Sequence, residues 1–135
     1  MLNDITTDLA NPPRFELTGD GPPDFDSATI GEHVSKYGNL EPIILAEDMP
    51  AAFRRVRNEV EARRWKLVAA DEQRGQLEAI AVTRLLRFKD DIVIRLTAED
   101  TGTRIDLRSK SRVGRDDFGA NAKRIGAFLN ALKRG

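Results

Sequence analysis

Cysteine is absent from the 135-residue chain. That excludes thiol catalysis, disulfide staples and thiolate metal sites, and it does not choose between cytoplasm and periplasm. Long apolar runs are missing too: none approaches the roughly 20 residues a helix needs to cross a bilayer. The amino terminus lacks the basic start and apolar stretch of a secretion signal. Histidine occurs once, as His33, so any histidine-based relay or ligand set would have to be built around that single ring. There is no glycine-rich nucleotide loop, no carboxylate pair at helical metal spacing and no internal repeat. Net charge is missing as well, since 22 basic residues face 22 acidic ones.

What is present suits one globular domain that buries about two thirds of its unfolded surface. The balanced charge is unevenly placed. Up to Ala52 ten acidic residues face only Arg14 and Lys36, and from Phe53 onward twenty basic residues face twelve acidic ones. Either an acidic arm lies along a basic sheet within one molecule, or the basic surface is kept for an anionic partner; the zero sum favours the first.

Residues 1–49 read as the arm. Pro12-Pro13 and Gly21-Pro22-Pro23 are extended or turn signals, and no period is sustained. Its apolar residues, Phe15, Leu17, Phe25, Ile30, Val34, Tyr37, Ile43, Ile44 and Leu45, favour packing on the remainder, residues 50–135. Asp48 then caps a helix with Pro50 in its first turn and Phe53, Val56 and Val60 on one stripe, ending near Arg64. From Trp65 to Arg112 four strands are predicted, separated by turns at Asp71–Gly75, Lys89–Asp91 and Asp100–Thr103, an antiparallel meander. The middle strands are apolar on both sides: Leu77, Ala79, Ala81 and Leu85 oppose Ile80, Val82 and Leu86, and Ile92, Ile94 and Leu96 oppose Val93. Something must cover the second face, and the arm is the candidate. The expected architecture is α+β and two-layered, a four-stranded antiparallel meander with helices before and after it on one face and the irregular arm packed on the sheet.

The last third is the most informative stretch. Ile105, Leu107, Ser109 and Ser111 alternate with Arg104, Asp106, Arg108, Lys110 and Arg112, and Phe118, Ala122, Ile125, Leu129 and Leu132 recur at the spacing of one helix face. Between them lies Arg112-Val-Gly-Arg-Asp-Asp, where Gly114 can take a positive φ and Asp116 or Asp117 can cap the helix.

These residues carry a resemblance. Arg108-Ser-Lys-Ser-Arg-Val-Gly-Arg-Asp-Asp-Phe-Gly-Ala-Asn-Ala-Lys-Arg-Ile125, together with Asp4-Ile-Thr-Thr-Asp8 and Pro12-Pro-Arg-Phe15, resembles the signature of the DUF1499 family, a bacterial domain of unknown function, over nearly the whole chain. Many relatives carry an Asn-Cys pair near the start, which this chain lacks. The resemblance implies an architecture and no established activity. Relatives often have a membrane or lipid anchor ahead of the Asp-Ile-Thr-Thr-Asp motif, so the expectation is either an anchor outside the given chain, with a periplasmic or cell-envelope setting, or a soluble cytoplasmic relative.

The candidate ligand site is the corner, with Arg108, Ser109, Ser111, Arg112, Gly114, Arg115, Asn121 and Arg124. A glycine turn at a helix start flanked by arginines suits a phosphate or carboxylate. The competing reading is a capped turn whose aspartates occupy the N–H groups and pair with Arg108, Arg112 or Arg124. Ser109 and Ser111 suit packing better than nucleophilic catalysis, which needs a base beside them. Asp4, Asp8, Asp20, Asp24 and Asp26 lack the ligand spacing of a calcium loop, so Asp4, Thr6 and Thr7 are expected to bond the backbone in turns and Asp8 to meet a sheet arginine. Arg84, Arg95, Arg104, Arg108, Lys110 and Arg112 have no interleaved aromatics for base stacking, so no nucleic acid is expected. No cofactor or metal is expected, and the function expected is a non-enzymatic one exercised through protein or envelope contacts.

Overall fold

The computed structural model describes residues Met1–Gly135. In chain order it contains β1 (Asp4–Thr6), α1 (Ile30–Tyr37, entered through a 3-10 turn at Ser27–Thr29), β2 (Ile43–Leu45), α2 (Met49–Ala62), β3 (Lys66–Asp71), β4 (Gln76–Val82), β5 (Lys89–Glu99), β6 (Gly102–Ser111) and α3 (Ala120–Arg134). The protein is α+β: strands β3 to β6 form the antiparallel meander, and α2 and α3 lie on one face of it. The sheet has six strands rather than four, because the arm contributes two short ones that pair end to end along the free edge of β6. Asp4, Ile5 and Thr6 face Lys110, Ser109 and Arg108, while Ile43, Ile44 and Leu45 face Ile105, Arg104 and Thr103. An otherwise open edge of N–H and C=O groups is thereby closed.

Three expectations need correction. The arm is not free of helix, since α1 brings His33 against β1, where its Nε2 accepts the Thr6 N–H at 3.1 Å. Val34 and Ile44 face solvent instead of packing. Lys89–Asp91 is no turn; it opens β5, with Asp90 opposite Ser111 and Asp91 opposite Lys110. Acidic residues look like a turn in a sequence, but here Asp90 and Asp91 are held in the strand by Arg124 and Arg112. The connection is Thr83–Phe88 instead, which leaves Leu85 and Leu86 outside the strand.

The two faces of the sheet are built differently. On the helix side Leu77, Ile92, Ile94, Leu96, Ile105 and Leu107 pack with Phe53, Val56, Val60, Ile125, Phe128 and Leu132 in a continuous apolar core. Trp65 stacks on Phe128, ring centroids 5.1 Å apart. The other face is buried but polar, carrying Gln76, Glu78, Asp91, Asp106 and Arg108 around Val93. Residues 8–25 of the arm cover it and supply its hydrogen bonds. Glu78 accepts from the N–H groups of Leu17 (2.8 Å) and Thr18 (3.1 Å), from the Thr18 hydroxyl (2.8 Å) and from Gln76 (2.7 Å). Buried polar groups are tolerated because each is satisfied in this way.

Candidate functional site

The eight residues expected at the corner fall into three separate places. On the helix side, Ser109, Ser111 and Asn121 are buried between β6 and the first turn of α3. Ser109 Oγ donates to Asn121 Oδ1 at 2.6 Å, and Asn121 Nδ2 donates to Ser111 Oγ and to Asp117 Oδ2, both at 2.8 Å. Arg124 Nη1 donates to Asn121 Oδ1 at 2.8 Å and to Ser109 Oγ at 3.2 Å, while Nη2 pairs with Asp90 at 2.8 Å. Neither serine bonds to a base. His33, beside β1, uses Nε2 on Thr6 and leaves Nδ1 without a partner.

On the opposite face stand Arg108 and Arg112. Arg108 is completely buried, bidentate to Asp4 at 2.9 and 2.8 Å, and donates also to the carbonyls of Pro13 (3.2 Å) and Pro23 (2.7 Å). The rings of Phe15 and Phe25 flank its guanidinium at 5.2 and 5.9 Å. Arg112 is bidentate to Asp91 at 2.9 and 2.8 Å, and that hydrogen bond holds its guanidinium above the ordinary arginine range. Further along the same face Arg104 meets Asp106 at 2.8 Å, which raises it likewise, and Asp8 bonds both Arg95 (2.9 Å) and Arg104 (3.3 Å). Asp8 does meet sheet arginines, as its sequence position suggested. Asp4 is different: it is the counter-ion of Arg108 and not a turn residue.

The third place is the corner itself, where Gly114 takes φ 89° and Arg115 is exposed. Asp116 and Asp117 pair with none of Arg108, Arg112 or Arg124, whose carboxylates are Asp4, Asp91 and Asp90. They act on the backbone. Asp116 Oδ1 accepts from the Phe118 N–H (2.9 Å), Asp117 Oδ1 from Gly119 (2.8 Å) and Asp117 Oδ2 from Asn121 (3.2 Å), which occupies the N–H groups an anion would use. Phe118 therefore stands outside the helix, at φ 52°, and is 91% exposed; it does not join the apolar stripe of α3.

One feature escaped the sequence reading. Leu85 (90% exposed), Leu86 (64%), Phe88, Val113 and Phe118 line a single open cleft of about 470 Å³ between the Thr83–Phe88 connection and the corner. Consecutive Leu85 and Leu86 were the available signal, since a strand sends neighbours to opposite faces and would have needed apolar cover on both. No cluster of His, Asp or Glu gathers in the geometry of a metal site.

A family model described as "Protein of unknown function (DUF1499)" matches residues 4–132. No curated protein matches the chain.

Proposed function

We propose that this chain, which belongs to the DUF1499 family, is a non-enzymatic module that works by contact with a protein or with the cell envelope, through its exposed apolar cleft. One observation carries the reading. The polar side chains able to do chemistry, Ser109, Asn121, Arg108, Arg112 and Arg124, are bonded to one another or to carboxylates, whereas Leu85 and Phe118 stand almost fully in solvent. Large apolar side chains gathered on a surface mark contact sites more often than not. A photo-crosslinking residue introduced at position 85 in cells is the test. The expected result is a discrete cross-linked product, to a protein or to lipid, and its absence under conditions where the protein is folded removes the reading.

A second reading rests on the exposed corner, where Gly114 takes a positive φ and Arg115 is exposed. It makes the corner a small-anion site or a hydrolase at Gly114 and Arg115, the other six expected residues, Arg108, Ser109, Ser111, Arg112, Asn121 and Arg124, being engaged elsewhere. Thermal-shift titration with phosphate, nucleotides and short carboxylates separates the two. Saturable stabilisation that disappears in Arg115→Ala favours the anion site, and a flat titration favours the contact module.

A further inference from the structure

We infer that the cleft between the Thr83–Phe88 connection and the corner before α3 is a membrane-docking tip, whose apolar side chains enter the interfacial layer of an anionic phospholipid bilayer while the arginines beside them meet lipid phosphates. The inference rests on the contact-module reading and names its partner. Leu85, Leu86, Val113 and Phe118 are each more than half exposed, and they come from two segments that converge on one place.

Charge selects the bilayer among the possible occupants. Ten of the sixteen arginines have a carboxylate within ion-pair distance; Arg84, Arg87 and Arg115 are among the six that have none. The stretch Arg84-Leu-Leu-Arg-Phe-Lys89 carries three cations and no anion, interleaved with its apolar residues. In a molecule that pairs its arginines so thoroughly, cations left free around apolar tips point to an anionic surface outside the chain. Interleaving suits an interface in which apolar tips sink below the headgroups and guanidinium groups stay at phosphate level. A second copy of the chain would bring the same free cations against each other. The carboxylates in the cleft offset them only in part: Asp90 faces Arg124, and Asp116 and Asp117, turned to the backbone N–H groups of Phe118 and Gly119, are outnumbered by Arg84, Arg87, Lys89 and Arg115.

The backbone agrees. Arg87 (φ 58°) and Phe118 (φ 52°) are two of the three non-glycine residues in the left-handed region. Side chains rarely adopt that conformation, and where they do a functional constraint is a common reason. No helix is long and apolar enough to cross a membrane.

The test is co-sedimentation of the purified protein with vesicles of equal parts phosphatidylglycerol and phosphatidylcholine, against vesicles of phosphatidylcholine alone. Binding is expected on the anionic vesicles and little on the neutral ones. Raising salt from about 0.1 to 0.5 M should weaken it, because screening shortens the reach of the guanidinium charges. Leu85→Ser combined with Phe118→Ser should lower partitioning at least about tenfold, as two large apolar side chains no longer leave water. Both positions are exposed, so the melting temperature should stay at the parent value. Arg84→Gln with Arg87→Gln should lower binding to the anionic vesicles and weaken its salt dependence, with Lys89 and Arg115 carrying the remainder. Failure of the unmodified protein to bind anionic vesicles, or undiminished binding by the double serine variant, overturns the inference. If vesicles fail but position 85 cross-links a protein, the membrane inference falls and the contact module stands; if both fail, both fall.

Discussion

Arg108→Ala is the substitution that most directly tests whether the signature arginines are structural. The guanidinium has no exposed surface and makes two hydrogen bonds to Asp4 and one each to the carbonyls of Pro13 and Pro23, with Phe15 and Phe25 against it. Truncation leaves the Asp4 carboxylate, whose side chain is only 13% exposed, without its counter-ion, and it frees the arm at two points. Removing one member of a buried pair costs about 3–5 kcal/mol, most of it the isolated charge left behind. At about 4 °C per kcal/mol for a chain of this size, the melting temperature should fall by about 12–20 °C. Thermal unfolding followed by circular dichroism measures the shift, and limited proteolysis should cut within residues 9–24 before the rest unfolds. Asp4→Ala should be severe alone yet add little on top of Arg108→Ala, a coupling of about 3 kcal/mol in the double-mutant cycle. Arg108→Lys should be intermediate, since it restores the charge but not the fork. A loss below about 1 kcal/mol for Arg108→Ala, or full additivity with Asp4→Ala, would refute the assignment.

Asn121→Ala removes the group that joins Ser109, Ser111, Asp117 and Arg124, so chemical denaturation should show a loss of about 2–3 kcal/mol from unsatisfied buried partners; an effect near zero would mean that the network is dispensable. Gly102→Ala should destabilise by about 1–3 kcal/mol, because at φ 147° the new Cβ would land on the carbonyl oxygen of Leu45 where β2 meets β6; the reading fails if the variant melts with the parent. Burial holds the His33 imidazole below its ordinary range, with Asp4 opposing the shift, and its Nε2 can accept the Thr6 N–H only while that nitrogen is unprotonated. The unfolded chain takes up a proton near pH 6.5 that the folded chain refuses until lower pH. Stability is therefore complete above that point and falls as pH drops through the window beneath it, by at most about 1.4 kcal/mol per pH unit. His33→Gln should flatten this part of the profile; parallel profiles for the two proteins would count against it.

How much was readable depended on whether a residue's partner is near it in sequence. The helix at Met49–Ala62 was legible because Asp48, Pro50, Phe53, Val56 and Val60 specify it locally, and Asp48 does accept the Ala51 N–H at 3.1 Å. The alternation of β6 was legible for the same reason. Lys89-Asp-Asp91 was not, since the forces that keep it extended come from Arg112 and Arg124, far along the chain. Phe118 was misplaced because the 3.6-residue period runs through it while the local turn, fixed by Asp116 and Asp117, does not. The charge asymmetry carried the long-range information that periodicity lacked: an acidic leading segment laid over a basic sheet is what Asp4, Asp8, Arg95, Arg104 and Arg108 form. Charge could indicate the contact, but not which arginine met which carboxylate.

The two stretches that carry the family resemblance are halves of one contact. Asp4 and Arg108, 104 residues apart in sequence, lie in the same pair of strands, and Thr7 closes the ladder by accepting the Leu107 N–H and donating to Asp106 at 2.6 Å. The leading residues reach further, with the Leu2 carbonyl taking the Asp117 N–H at 2.9 Å, the Asn3 carbonyl taking that of Ser111 at 2.8 Å and Asn3 Nδ2 donating to the Gly114 carbonyl. Neither half is satisfied alone: without the first, Arg108 is a buried unpaired cation and the corner loses the groups that fix its backbone. Closing so long a loop costs only about 2 kcal/mol more than closing one ten times shorter, less than the charge pair at stake. The corner that displays Val113 and Phe118 is thus held from the far end of the chain. An exposed apolar tip so placed keeps its shape without a core of its own, because the first eight residues serve as its foundation.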